Sequence, residues 1–138
     1  MKFGNYEIME GLLYTKEHEW ARIVEGTKDI VIGISDYGAK LLNEIVYVDI
    51  AEKGTSVGRM RPVGTVESVK AISEIFAPVS GVIIELNDKL EEKPELINTA
   101  PYGEGWLLTL VPSNLEEESK MLMDHNAYVS LLKASRTS

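Results

Sequence analysis

Lys70 is the residue whose type and surroundings point most directly to chemistry in this sequence. It lies in Val66-Glu-Ser-Val-Lys-Ala71, between two short β-type segments, Pro62 to Val69 and Ile72 to Pro78. Two such segments joined by a short turn are typical of a hairpin. Lys70 is therefore predicted to lie at or near a hairpin tip, where its amine is accessible to a modifying enzyme.

Two glycines support this placement of Lys70. Gly54 precedes it by sixteen residues and Gly81 follows it by eleven, and both are predicted to form turns that close the strands leading to and from the lysine. Most lysines are ordinary surface residues, and this spacing alone leaves that interpretation open.

Composition excludes several classes of function. The chain has 138 residues, which favours one domain, and its formal charge of -8 argues against non-specific binding to nucleic acid or anionic lipid. It contains no cysteine, so disulfides, thiolate catalysis and Cys-type zinc sites are excluded. With two histidines, His18 and His125, no metal site is predicted. The sequence shows neither a membrane span nor a signal or transit peptide, and we expect a cytoplasmic protein.

Short strands dominate the rest of the chain. Glycine or proline clusters separate most of these segments, and the pattern favours a β-sandwich or flattened barrel with helical additions. The predicted strands are Asp29–Ile34, Ile45–Ile50, Pro62–Val69, Ile72–Pro78, Gly81–Leu86 and Trp106–Val111.

Two helices are predicted. The first covers Asp36 to Leu42, with Ser35 or Asp36 as its N-cap. The second begins at Ser113 or Asn114, where acidic residues follow at the capping-box spacing. Its apolar stripe would consist of Leu115, Leu122, Val129 and Leu132, with a possible break at Asp124-His125-Asn126.

The sequence resembles the glycine cleavage system H protein family over about Leu13 to Tyr128. Six ordered motifs carry the resemblance, which is far more specific than one lysine. They are Tyr14-Thr-Lys-Glu-His-Glu-Trp20, Gly33-Ile-Ser-Asp-Tyr37, Ile45-Val-Tyr-Val48, Val66-Glu-Ser-Val-Lys-Ala71 with Ala77-Pro-Val-Ser-Gly81, Pro94-Glu-Leu-Ile-Asn98 and Pro101-Tyr-Gly-Glu-Gly-Trp106.

The resemblance implies a fold and a role. The fold would be mainly β, a lipoyl/biotinyl-type hybrid barrel-sandwich of two antiparallel sheets with a short internal helix and a C-terminal helix. Residues 1–138 would form a single lipoyl-carrier domain, with an N-terminal extension at 1–11 and a C-terminal helical segment at 113–134. Lipoate would be bound covalently to Lys70, and the protein would have no catalytic activity of its own.

In this family the lipoyl arm carries the aminomethyl group of glycine between enzymes. The implied partners are the pyridoxal-phosphate glycine decarboxylase (P protein), the aminomethyltransferase (T protein), dihydrolipoamide dehydrogenase (L protein) and the lipoate-attaching enzymes. The carrier itself would be a monomer. Biotin is disfavoured, because biotin carriers typically have methionine on both sides of the lysine, where this sequence has Val69 and Ala71.

The resemblance also assigns roles to other residues. Glu67, with Gly54 and Gly81, would belong to the hairpin that the lipoate-attaching enzymes recognise. Glu19 and Glu74 would lie near a cleft that shelters the loaded arm, where a carboxylate favours a protonated amine. The family more often has aspartate at position 74. Each of these acids could instead be an ordinary surface charge.

Two alternatives to the glycine cleavage role remain open from the sequence. Similar lipoate-binding proteins carry sulfur beside heterodisulfide-reductase-like complexes. The family usually has a Gly-Asp turn where this chain has Met60-Arg61, a departure that leaves room for that pathway. Gly58 is expected to take over the turn. A hydrolase using Glu19 and Glu74 as paired carboxylates is the third hypothesis.

His18 is expected to make packing or hydrogen-bond contacts, and Trp20 and Trp106 are expected to anchor the core.

Overall fold

The computed structural model describes the backbone of residues 1–137. Its strands are β1 (Lys2–Phe3), β2 (Tyr6–Glu7), β3 (Leu13–Tyr14), β4 (Glu19–Ile23), β5 (Ile30–Ile34), β6 (Ile45–Ile50), β7 (Ser56–Val57), β8 (Pro62–Ser68), β9 (Ile72–Phe76), β10 (Gly81–Leu86) and β11 (Leu108–Pro112). Its α-helices are α1 (Asp36–Leu42), α2 (Leu96–Thr99), α3 (Leu115–Glu118) and α4 (His125–Thr137), and short 3-10 helices cover Asp88–Glu91 and Ser119–Met121.

The strands form antiparallel sheets around a common apolar core. One sheet has six strands in the order β3-β4-β5-β11-β10-β7, the second has three in the order β6-β8-β9, and β1 pairs with β2 alone. Side chains from both larger sheets meet in one hydrophobic cluster, represented by Ile32, Leu108, Val66 and Ile75. The predicted fold class, mainly β with an internal and a C-terminal helix, is confirmed.

Helix α1 has the bounds that the sequence predicts. Ser35 has extended backbone angles, and its hydroxyl accepts a hydrogen bond from the Gly38 N–H at 3.1 Å. This contact satisfies one of the N–H groups that every helix leaves free in its first turn. The helix ends at Asn43, which has φ 67°.

The helix predicted after Ser113 is interrupted, and its second part begins at Asp124-His125-Asn126, where the sequence allowed a break. Helix α3 stops at Glu118, and Leu122, counted in the predicted stripe, has extended backbone angles. The chain then restarts at α4, where the Asp124 side chain accepts a hydrogen bond from the Ala127 N–H at 2.8 Å. Asp124 therefore caps a new helix, and Asn114 makes no side-chain capping bond.

The N-terminal residues and α4 build a second apolar cluster on the six-stranded sheet. Ile8, Tyr14, Trp20, Tyr128 and Leu132 are its members with no exposed surface. The rings of Tyr14 and Tyr128 are stacked, with centroids 4.3 Å apart and planes inclined by 3°. Residues 1–11 are thus packed against the body through Ile8 rather than being an open tail.

Among the described residues, no helix combines the length and the apolar character needed to cross a membrane.

Candidate lysine modification site and adjoining cleft

Lys70 lies in the turn that joins β8 to β9, with its side chain exposed. The turn is closed by the Ser68 N–H, which donates to the Ala71 carbonyl at 2.8 Å. Along β8 the burial alternates, so that Val66 and Ser68 face the interior while Glu67 faces solvent. This alternation is the period of a strand with one buried face. The predicted position of Lys70 at a hairpin tip is confirmed.

The Ser68 hydroxyl organises the turn around Lys70. It accepts hydrogen bonds from the N–H groups of Lys70 and Ala71, both at 3.1 Å, and it donates to the Ala71 carbonyl at 3.3 Å. The residue is 6% exposed, so these contacts are shielded from competing water. Ser68 was not among the site residues predicted from the sequence, although serine is a common turn residue because its hydroxyl bonds to nearby backbone.

The residues beside Lys70 in this hairpin include exposed apolar and acidic side chains. Val69 is 67% exposed and Ile72 is 68% exposed. Glu67, which the sequence analysis assigned to recognition of the hairpin, lies opposite Ile72 on β9 and Tyr47 on β6. The structure therefore brings Glu67 and Lys70 onto the same hairpin, with both side chains accessible.

The two glycines assigned to turns behave differently. Gly54 has φ +90° and belongs to a turn, as predicted. The prediction for Gly81 is wrong, because Gly81 is the first residue of β10 and pairs with both Pro112 and Val57. A Cβ atom at Gly81 would lie 2.2 Å from the Val111 carbonyl oxygen. Glycine is needed there because two backbones approach closely, and not because the chain turns.

The turn before β8 also differs from the expectation. It is closed by the Arg61 N–H, which donates to the Gly58 carbonyl at 3.0 Å. Gly58 begins this turn, as expected, but the left-handed backbone conformation falls on Met60, with φ 58°. A residue with a side chain is disfavoured in that conformation, so Met60 occupies a position that glycine would fill at lower cost.

A cleft of about 130 Å³ lies between the two larger sheets and α1. Glu19 and Glu74 both line it, as the resemblance implies for the arm-sheltering residues. The remaining lining residues are Glu17, His18, Ile34, Gly38, Leu41, Leu42, Val66, Ser73 and Ile75. The cleft therefore combines an apolar wall with carboxylates.

Glu19 is the buried carboxylate of this cleft, with 3% of its surface exposed. The Thr15 hydroxyl donates to one of its oxygens at 2.5 Å, and the Phe76 N–H donates to the other at 3.1 Å. Burial raises the pKa of Glu19 to about 7, against the opposing effect of these two hydrogen bonds. Glu19 thus changes its charge near neutral pH, whereas Glu74 is an exposed acid on β9.

His18 connects the cleft to α4. Its Nδ1 hydrogen-bonds with the Tyr128 hydroxyl at 2.8 Å, and the same hydroxyl hydrogen-bonds with the Ser35 hydroxyl at 2.7 Å. Burial lowers the pKa of His18, which favours the neutral ring at pH 7. The expected packing and hydrogen-bonding role of His18 is confirmed.

The tryptophans also have the expected role. Trp20 is fully buried, and its Nε1 donates to the Pro101 carbonyl at 3.0 Å. Trp106 packs against the second apolar cluster.

Comparison with known proteins gives consistent matches over nearly the whole chain. The family model described as "Glycine cleavage H-protein" matches residues 12–135. A protein of Thermococcus kodakarensis described as "Probable glycine cleavage system H protein" is 48% identical over 97% of this chain and 98% of its own length. A "Glycine cleavage system H protein" of Anaeromyxobacter sp. is 46% identical over 92% of this chain and 97% of its own length.

A solved structure has the same fold. The crystal structure of a glycine cleavage system H protein from Mycobacterium marinum superposes with a TM-score of 0.80 and 33% sequence identity, covering 89% of this chain and 97% of that one.

Proposed function

This chain belongs to the glycine cleavage H-protein family, and from that premise we propose that it is a non-catalytic carrier whose lipoyl arm is attached to Lys70. The observation that carries the proposal is the β8–β9 tip, where Ser68 and the strand pairing hold Lys70 in an exposed turn. An attaching enzyme needs an amine that it can reach and a backbone shape that it can recognise.

The residues at this tip fit a covalently attached lipoyl group. Lys70 makes no ion pair among the described residues, and its side chain is exposed, so acylation of the amine breaks no existing contact. Attachment would turn a charged amine into a neutral amide. The side chains flanking it, Val69 and Ile72, are apolar and would tolerate that loss of charge.

Lipoate supplies a dithiolane whose sulfur can accept the aminomethyl group of glycine and release it to a second enzyme. Glu74 follows Lys70 by four residues along the same hairpin. A strand rises by about 3.3 Å per residue, so Glu74 lies at most roughly 13 Å from Lys70. A long flexible arm on Lys70 can span that distance and fold back onto the cleft.

The cleft would hold the loaded end of the arm through its own side chains. Its apolar wall, which includes Leu41 and Leu42, can cover the alkyl chain and keep water away. Glu19 and Glu74 can pair with the protonated amine of the cargo. A cation beside Glu19 would also favour the charged carboxylate, because opposite charge lowers the pKa of an acid.

We further propose that the partners are the glycine decarboxylase, the aminomethyltransferase, dihydrolipoamide dehydrogenase and the lipoate-attaching enzymes. Each of them must reach the same arm in turn, and the acidic and apolar surface around Lys70 is the part of the molecule nearest to it. Glu67 would contribute to the recognition of the hairpin by the attaching enzymes.

Reconstitution of glycine decarboxylation tests this function. The lipoylated protein is mixed with a glycine decarboxylase, and exchange of labelled bicarbonate into the carboxyl group of glycine is followed. We expect exchange with the wild type and none above background with Lys70→Arg, because arginine offers no acylable amine. Lys53→Arg, which changes an exposed lysine in another turn, is the matched control and should retain full exchange. A lipoylated wild type that supports no exchange would contradict the glycine cleavage role and favour a sulfur carrier.

A further inference from the structure

The tip that carries Lys70 is held by hydrogen bonds and not by packing of its apolar side chains. Val69 and Ile72, the apolar residues beside it, are 67% and 68% exposed. Besides the Ser68 contacts, the Val69 N–H donates to the carbonyl of Glu44 at 3.0 Å. Glu44 therefore adds a contact between the turn and the segment before β6, beside the pairing of β8 with β6 and β9.

Glu44 lies in the joint between α1 and β6, and this joint has an unusual backbone conformation. Its neighbour Asn43 has φ 67° and ψ -154°, outside the conformations that residues other than glycine commonly adopt. A joint of this kind persists only when surrounding contacts fix it.

Asn98 of α2 supplies those contacts with both ends of its side-chain amide. Its Nδ2 donates to the Asn43 carbonyl at 2.8 Å, and its Oδ1 accepts from the Ile45 N–H at 2.9 Å. The two bonds hold the residues immediately before and after Glu44. The carbonyl of Glu44 is then left to accept from Val69.

We propose that Asn98 is a positioning residue for the acylation of Lys70, acting through the Asn43–Ile45 joint and the Glu44 carbonyl on the hairpin tip. The inference rests on the proposed function, in that Lys70 is taken to be the acylated residue. It gives a role to the Pro94-Glu-Leu-Ile-Asn98 motif, which is distant from Lys70 in the sequence.

The reaction served by this contact is an acyl transfer from an acyl adenylate made by the attaching enzyme. A bond forms between Lys70 Nζ and the lipoyl carbonyl carbon, the bond from that carbon to the adenylate phosphate oxygen breaks, and AMP leaves. The ammonium group of Lys70 gives up two of its three protons to enzyme groups or water, and the third remains on the amide nitrogen. The amine must be presented at a fixed place for this step. When the tip populates other conformations, the enzyme binds only a fraction of the molecules, and the apparent affinity falls by that fraction.

The test compares Asn98→Ala with wild type in steady-state lipoylation by an attaching enzyme supplied with lipoate and ATP. We expect KM for the carrier to rise at least roughly five-fold with little change in kcat, because Asn98→Ala removes two hydrogen bonds and a five-fold shift corresponds to the net loss of about one. Hydrogen exchange of the Val69 amide should become faster in the variant, while exchange of the Ile32 amide in β5 stays unchanged.

Asn87→Ala is the matched control. The Asn87 side chain also bonds to backbone, donating to the carbonyls of Glu104 and Trp106 at 2.7 Å each and accepting from the Lys89 N–H at 3.2 Å. None of these three partners belongs to the β8–β9 turn or to the Asn43–Ile45 joint. It should lower stability to a comparable extent and leave KM at the wild-type value. If Asn98→Ala fails to fold, Asn98→Asp is compared with Asn87→Asp, since aspartate keeps the acceptor for Ile45 and removes the donor to Asn43.

The possible outcomes distinguish the lipoylation of Lys70 from the positioning role of Asn98. A wild type that accepts no lipoyl group at Lys70 contradicts the proposed function itself. A wild type that is lipoylated, with an unchanged KM and unchanged Val69 exchange in the folded Asn98 variant, overturns the role of Asn98 alone. An equal rise of KM in the Asn98 and Asn87 variants also overturns it, because a general loss of stability would then explain the effect.

Discussion

The carboxylate of Glu19 accepts a hydrogen bond from the backbone N–H of Phe76 at 3.1 Å. This contact joins β4 of the six-stranded sheet to the end of β9, the strand that follows Lys70. Glu19 is therefore both a wall of the cleft and a link between the two sheets. Its charge has consequences for stability as well as for the arm.

The first prediction concerns pH. Burial raises the pKa of Glu19 from 4.5 to about 7, so the unfolded state loses this proton at a lower pH than the folded state. The Glu19 contribution to stability is therefore complete below pH 4.5 and is lost as the pH rises towards 7, a change on the order of 3 kcal/mol. Glu19→Gln should lack this contribution to the pH dependence.

Urea denaturation at pH 5 and pH 8 measures this effect. The stability of Glu19→Gln relative to wild type should increase between the two pH values. Glu67→Gln removes an exposed acid and should give the same difference from wild type at both. If the free energies of unfolding of wild type and Glu19→Gln change in parallel between these pH values, Glu19 is ionised throughout this range.

The second prediction concerns protection of the cargo. Glu19→Gln combined with Glu74→Gln should shorten the lifetime of the loaded arm without preventing lipoylation, because both carboxylates face the cleft. An ion pair between a carboxylate and a partly exposed amine contributes about 1 kcal/mol or less. Loss of such pairs with the amine of the cargo should therefore make the release of ammonia several-fold faster. The protein is loaded with decarboxylase and glycine, the enzyme is removed, and ammonia is followed with time. Equal decay in wild type and the double variant would remove these two residues from the sheltering role.

The third prediction compares the effect of alanine on stability at three glycines whose surroundings differ. Gly54→Ala should destabilise by about 1 kcal/mol, because φ is +90° and no atom lies within 4 Å of a new Cβ. Gly81→Ala should cost more, because its Cβ would lie 2.2 Å from a backbone oxygen. Gly103→Ala meets neither obstacle and should be near neutral. Urea denaturation ranks the three, and a loss at Gly103 equal to that at Gly81 would contradict this account.

The fourth prediction concerns the attachment of α4. Tyr128→Phe removes the hydroxyl that bonds with both His18 and Ser35, and it should destabilise by about 1–3 kcal/mol because buried polar groups lose their partner. Tyr47→Phe removes a hydroxyl from a side chain that is 56% exposed and should change stability by less than about 0.5 kcal/mol. Thermal unfolding of both variants measures the two losses of stability. Equal destabilisation by the two substitutions would contradict the prediction.

Features that depend on local sequence were predictable. Helix α1 follows from a serine cap and its spacing, and the Lys70 hairpin follows from two β-type segments around a short turn. The strands β6 and β10 have the predicted bounds. These elements are specified by residues close together in the chain.

Features that depend on contacts between distant segments were not predictable. A break at Asp124-His125-Asn126 was among the expectations, but the extended segment before it pairs through Met123 with Tyr14 of β3, a contact that the apolar stripe through Leu122 does not reveal. Gly81 is required by its approach to β11, and Asn98 acts on a joint 53 residues away at Ile45. Strand β4 was not predicted because its sequence, Glu19–Ile23, contains one β-branched residue and its first three residues are all buried, so it lacks the alternation of a strand with one exposed face.

The most direct test of the central claim is the intact mass of this protein purified from its native cell, followed by peptide mapping. We expect a mass increase equal to one lipoyl group, located on the peptide that contains Lys70 and absent from Lys70→Arg. An unmodified mass in cells that lipoylate other proteins, or a lipoyl group on a different lysine, would contradict the account.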